Sequence, residues 1–188
     1  MVRWEPDARG RLERAAMELY SERGFEQTTV ADIAERAGLT ERTFFRHFAD
    51  KREVLFLGAG PLQELLVNAL VDAPASLAPI DAVATALETA GPMFLEHREF
   101  SRQRQSIIMA NAELRERELI KLASLASAIA DTLRRRGVGE PAANLTAEAG
   151  IAVFKIAFER WVDDENEQDF AQLIGESLAE LKAVAAGH

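Results

Sequence analysis

Apolar residues fall at helical spacing along almost the whole chain. Leu12, Ala15, Ala16, Leu19 and Tyr20 recur at intervals of three and four, the stripe of an amphipathic helix, and Gly24 supplies a stop. Phe25, just past that stop, is placed to fold back onto Tyr20. Thr29 with Asp32 forms a capping-box pattern, and Val30, Ile33, Ala34 and Ala37 give the inner face of a short second helix that ends before Gly38. Thr40 is a candidate cap for a third. At about 100° of rotation per residue, Phe44, Phe48 and Phe45 gather on one side of that helix, whereas Arg42, Arg46, Thr43 and His47 project from the other.

Asp50 with Glu53 opens a fourth helix whose first residues, Lys51 and Arg52, are cations set against the helix dipole. A nearby phosphate would relieve that mismatch; a solvated pair of charges is the plainer alternative. Gly58, Gly60 and Pro61 then weaken the helix, so the pattern predicts a kink or restart near Gly60-Pro61, a candidate hinge or a static bend. Residues 72–79 read as a loop, 81–90 and 92–110 as helices broken at Gly91-Pro92, and 112–136 as a long helix with Leu122, Leu125, Ile129 and Leu133 in its seam. Arg134, Arg135 and Arg136 before Gly137 read as helix-end charges. Two more helices follow, over 141–162 and from about Phe170 onward, with Gly150 permitting close approach of a neighbour. The expected fold is all-α.

A helix–turn–helix with a cationic outer face suits the DNA major groove, where Arg can bond guanine O6 and N7 and Thr or His can read base edges. The net charge of −9 argues against that at first sight. Its distribution changes the picture: residues 1–52 carry ten Lys/Arg and ten Asp/Glu, and the acidic excess belongs wholly to 53–188, with twelve and twenty-one. A hydrophobic content of 48% with 28% charged residues fits a folded globular protein. The absence of Cys excludes disulfides and thiolate metal sites, and the start lacks a signal-like apolar run. No stretch approaches the roughly eighteen uninterrupted apolar residues of a membrane span. A cytoplasmic protein with no membrane partner is the expectation. The Gly58-Gly60 stretch lacks the third glycine of a dinucleotide loop, and no phosphate-loop, zinc-protease or nucleophile-elbow motif occurs. With three His and no Glu-x-x-His pair, neither enzyme activity nor a metal or cofactor is expected.

Residues 11–56, "RLERAAMELYSERGFEQTTVADIAERAGLTERTFFRHFADKREVLF", resemble the DNA-binding domain of TetR-family transcriptional regulators in the spacing of helix, Gly-aromatic turn, Thr-Thr, Ile-Ala, Ala-Gly, aromatic pair, Phe and Lys. The resemblance covers about a quarter of the chain. It implies an all-α homodimer in which an N-terminal three-helix helix-turn-helix domain, 1–52, precedes a C-terminal helical bundle, 53–188, for dimerisation and ligand binding. Carried over position by position, Thr28, Thr29 and Lys51 match phosphate-contacting places, and Thr40, Glu41, Arg42, Thr43, Phe45, Arg46 and His47 fall on the recognition helix. Two positions depart from the family pattern: Phe45 stands where Tyr is frequent, losing a hydroxyl that can bond phosphate, and Arg42 stands where a small residue is frequent.

The expected function is a ligand-responsive repressor that binds a pseudo-palindromic double-stranded operator as a homodimer, effector binding shifting the separation of the two heads. An activator, an effector-free regulator, or a helical small-molecule-binding protein or enzyme with a relic head are the alternatives. Met93, Phe94, Phe100, Ile107, Ile108, Phe154 and Phe158 are candidate apolar lining for an effector pocket, although bulky residues on buried helices also serve as plain core. His97, Arg98 and Arg102 are candidate anion holders or solvated charges. By resemblance the last two helices pair with their copies, giving Leu145, Ala149, Ala152, Val153, Ile156, Trp161, Phe170, Leu173, Ile174, Leu178 and Leu181 as candidate dimer contacts.

Overall fold

Local capping signals set the first three helices. In the computed structural model, which describes residues 7–95, 97–163 and 168–187, α1 spans Ala8–Arg23 and closes at Gly24, whose φ of +90° suits glycine and whose N–H donates to Tyr20 O at 3.0 Å. Phe25 folds back so that its ring meets Tyr20 edge-on, centroids 5.2 Å apart. Both halves of the capping box are made at α2, Val30–Arg36: Asp32 N–H donates to Thr29 Oγ1 at 3.1 Å, and Thr29 N–H to Asp32 Oδ2 at 2.8 Å. Thr40 caps α3, Glu41–His47, by accepting from Thr43 N–H at 3.2 Å.

After α3 the chain differs from expectation. Asp50 does cap, accepting from the N–H groups of Arg52 at 2.8 Å and Glu53 at 3.2 Å. What it caps is a single 3-10 turn, Glu53–Phe56, followed by α4, Ala59–Asp72. The interruption expected at Gly60-Pro61 is a restart at Ala59, with Pro61 in the first turn, where its missing N–H would have had no helical partner. The remaining helices are α5 (Pro79–Glu88), α6 (Gly91–Leu95), α7 (Arg98–Ala110), α8 (Ala112–Arg135), α9 (Ala142–Val162) and α10 (Phe170–Ala185). The described residues contain no strand. Residues 92–110, expected as one helix, are divided between α6 and α7; beyond the break, Arg98 donates to Asp163 O at 2.7 Å and Arg102 Nε to Val162 O at 2.9 Å, closing the end of α9. No glycine or proline follows Pro92 there, so long-range bonding rather than local breaking accompanies the division.

The chain forms two compact units, Met1–Leu57 with Gln103–Glu118, and Gly58–Arg102 with Leu119–His188. In the first, α1, α2 and α3 pack around Leu12, Leu19, Ile33 and Phe44. The returning piece Gln103–Glu118 is fastened to it by polar contacts. Arg104 donates to Leu55 O, pairs with Glu118 at 3.4 Å and lies 5.2 Å over the Phe56 ring; Arg117 pairs with Glu53, Arg52 with Glu113, and Gln103 donates to Ser21 Oγ at 2.7 Å.

The second unit has the larger core: Leu66 and Leu70 of α4, Val83 and Leu87 of α5, Leu125, Ile129 and Leu133 of α8, and the aromatic residues of α9 and α10. Gly150, expected to permit close approach of some neighbour, is where α5 and α9 meet: a Cβ there would stand 2.5 Å from Val83 Cγ1. Arg136, expected as a charge at the end of its own helix, donates instead to carbonyls at the end of α4, Leu70 at 2.8 Å and Ala73 at 2.7 Å, while Arg134 pairs with Asp131 and Glu140.

Candidate nucleic-acid interface

The candidate interface is built from the turn outward. The end of α2 closes with Gly38 at φ +65°, Gly38 N–H donating to Glu35 O at 2.9 Å and Leu39 N–H to Ala34 O at 2.8 Å, the bond pair of a Schellman motif. Arg11 of α1 donates to Ala37 O and so ties the turn to the first helix. A Cβ at position 38 would meet the Arg11 guanidinium at 2.9 Å. The sequence signal for the glycine was clear, whereas the long-range bond from Arg11 left none.

On α3 the two faces separate as helical spacing predicts, with one exception. Phe44 is 0% exposed and Phe48 is buried beside it, their ring centroids 5.2 Å apart. Glu41, Arg42 and Arg46 are exposed and Thr43 and His47 half-buried, so the polar arc faces outward. Phe45 does not join the other two rings in the core; it is 55% exposed, its edge set against Phe44 at 5.5 Å.

The other positions divide by what their side chains already do. Thr40 and Thr29 are exposed, each engaged in its own helix cap. Thr28 is 0% exposed and its hydroxyl donates to Gly24 O at 2.8 Å, so as a phosphate contact the side chain is withdrawn. Lys51 donates to the carbonyls of Phe25 and Thr28, both at 2.8 Å, and its ammonium lies 4.3 Å over the Phe25 ring; burial pushes its pKa down. The cations before the fourth element thus find their partners inside the protein. Lys51 holds carbonyls and Arg52 holds Asp50 at 2.6 Å as well as Glu113, which answers the dipole mismatch without a phosphate. Elsewhere on this unit Arg14, Arg23 and Arg36 are paired with Asp7, Asp32 and the Glu18–Glu22 pair, whose hydrogen bonds raise the Arg36 pKa. Arg42 and Arg46 take part in none of the described ion pairs.

In the second unit the candidate pocket residues only partly converge. Phe94 touches Phe154, Phe158, Trp161 and Phe170 at centroid distances of 6.3, 5.9, 5.5 and 4.7 Å. Met93 and Phe100 are half-buried and His97 exposed. Ile107 and Ile108 belong to the other unit, where both are buried, and so drop out of a pocket within this one. Arg98 and Arg102 hold the carbonyls at the end of α9 in place of an anion. The candidate dimer contacts divide as sharply. Val153, Trp161, Phe170, Leu173 and Ile174 are buried within the chain's own core and have no surface left for a second copy. Leu145 and Ile156, at 68% and 53% exposure, lie with Ala149 and Ala152 on one stripe of α9, while Leu178 and Leu181 are half-buried. Apolar periodicity alone pooled two different faces.

Comparison with known proteins agrees with this architecture. Residues 13–56 match the family model described as bacterial regulatory proteins, tetR family, and residues 77–186 match that of the MftR C-terminal domain. TcmR, an HTH-type transcriptional regulator of Streptomyces glaucescens, is 42% identical over 78 residues, 42% of this chain but only 34% of TcmR, so that match spans about a third of the relative. MftR of Mycobacterium tuberculosis, named for regulation of mycofactocin biosynthesis, is 29% identical over 158 residues, covering 80% of this chain and 78% of MftR. Among solved structures, FadR of Bacillus subtilis in complex with stearoyl-CoA superposes with a TM-score of 0.63 at 18% identity, over 90% of this chain and 95% of that one. With a capped helix-turn-helix at one end and a C-terminal match covering more than half its length, the chain belongs to the TetR family of bacterial transcriptional regulators.

Proposed function

We propose that this regulator is a homodimeric, ligand-responsive repressor that reads a pseudo-palindromic operator through α3, and that it acts in the cytoplasm without catalysing a reaction. The observation that carries the reading is on α3 itself. Arg42 and Arg46 stand exposed and outside the ion-pair network that engages Arg14, Arg23, Arg36 and Arg52 around them. Guanidinium groups left available on a rigid helix suit guanine O6 and N7, and Thr43, His47 and Glu41 flank them. The first unit is then the reading head. Within it Thr28 and Lys51 act as positioning residues that brace the start of α2, where Thr29 is presented to the backbone.

The partner copy is assigned to the stripe Leu145, Ala149, Ala152 and Ile156 of α9, continued by the partly exposed Leu178 and Leu181 of α10. Pairing there supplies the two-fold symmetry that a pseudo-palindrome requires, with recognition helices about 34 Å apart. The effector site is assigned to the second unit around Phe94, Phe154 and Phe158, with Met93, His97 and Phe100 at its edge. Effector binding would change the separation of the heads and release the operator.

Selection of bound sequences from a random duplex library is the test. An enriched inverted repeat is expected, and the variant carrying Arg42→Ala and Arg46→Ala should bind it at least ~30-fold more weakly, from about 1–3 kcal/mol per lost base contact. Recovery of no motif at low salt, or undiminished binding by the double variant, would overturn the assignment.

A further inference from the structure

Phe45 spends free energy in the isolated protein. It is the one aromatic residue among the strongly exposed large hydrophobics of the described residues. Its ring is nevertheless braced: the edge contact with Phe44 is near-perpendicular, at 84°, and Phe44 in turn packs on buried Phe48. A rigid phenyl face is therefore presented beside Arg42 and Arg46, with neither a donor for a phosphate oxygen nor an acceptor for a base amino group. The major-groove group that complements it is the C5-methyl of thymine.

We propose that Phe45 reads a thymine methyl, and that this thymine lies one or two base pairs from the guanine taken by Arg42. Neighbours at i and i+3 on a helix have Cβ atoms about 5–6 Å apart, which spans one to two base steps of about 3.4 Å. The inference rests on the operator reading above. It adds a half-site composition to it, a guanine and a thymine in close register, set by two adjacent side chains of different chemistry.

The test uses the full-length protein and the inverted repeat recovered by selection, with each thymine replaced in turn by deoxyuridine, a change that removes only the methyl. One position in each half-site is expected to weaken wild-type binding about three- to fivefold, the scale of burying one methyl group. Phe45→Ala, checked for an unchanged helical spectrum, should bind the thymine duplex more weakly and bind thymine and deoxyuridine duplexes equally at that position. Deoxyuridine without effect at every position, or with the same effect in wild type and Phe45→Ala, would overturn the inference while leaving the operator reading intact. Failure to recover any inverted repeat would overturn both.

Discussion

Asp50 shows how much of the exit from the recognition helix hangs on one carboxylate. It accepts from two backbone N–H groups and pairs with Arg52 at 2.6 Å. Partial burial works against the charged form, yet the hydrogen bonds from the Arg52 side chain and from the Glu53 and Arg52 N–H groups outweigh it and hold the carboxyl below the usual Asp range. Because the folded-state pKa is the lower one, the stabilisation is complete above the unfolded value near pH 4 and is lost as pH falls through the folded value. Asp50→Ala is expected to lower stability by about 1–2 kcal/mol at pH 7, seen as a reduced urea midpoint. The gap between wild type and variant should close on acidification below about pH 4, and a gap unchanged at about pH 2 would contradict this role. Asp50, Thr29 and Thr40 were all legible as caps because a cap is a local signal, read from residues two or three apart. Lys51 was not. A cation early in a fourth element suggests a phosphate by spacing, but its carbonyl partners at Phe25 and Thr28 lie more than twenty positions away and leave no mark on the pattern around it.

At the scale of elements, helix existence was legible over most of the chain, the 3-10 turn at Glu53–Phe56 and the division of 92–110 into α6 and α7 excepted, and helix partnership was not. Amphipathic spacing says that α9 has apolar faces but not which face meets its own chain, so it groups Val153 with Ile156 although one is buried and the other open. Gly150 is the position where the pairing becomes specific. The Val83 methyl occupies the space a side chain would need, so Gly150→Ala should force α5 and α9 apart and destabilise by about 1–3 kcal/mol despite the better helix propensity of alanine. Combining it with Val83→Ala should recover part of the loss, because the clash is with that side chain; additive losses in urea denaturation would mean that the glycine is required for another reason. The return of Gln103–Glu118 to the first unit was equally invisible. Its contacts through Arg104, Arg117 and Glu113 join residues about fifty to sixty apart in sequence, and no local pattern distinguishes an arginine paired at that range from one facing water.

For the whole molecule the deciding quantity is where its charge is spent. The returning piece adds three arginines and three glutamates to the first unit, so that residues 1–57 with 103–118 carry thirteen cations against fourteen carboxylates, and the second unit holds nearly all the acidic excess. Most cations of the first unit are already engaged with carboxylates or carbonyls, so the reading head proposed above would grip DNA with few charges. In the dimer proposed above, Arg42 and Arg46 of the two heads would place four cations at the duplex. If each displaces one condensed counterion, the logarithm of operator affinity should fall with the logarithm of salt concentration at a slope of about −3.6, shallow for a dimeric regulator. Non-specific binding to unrelated duplex should correspondingly be weak at about 200 mM salt, since the acidic second unit repels the phosphate backbone. Fluorescence anisotropy across a salt series measures both. A slope near −7 would mean that arginines such as Arg14 and Arg23, in pairs at 3.6 and 3.5 Å, exchange their carboxylates for phosphates on binding. A flat response would remove charge from the interface, and α3 would then have to read its operator through Phe45 and neutral hydrogen bonds alone.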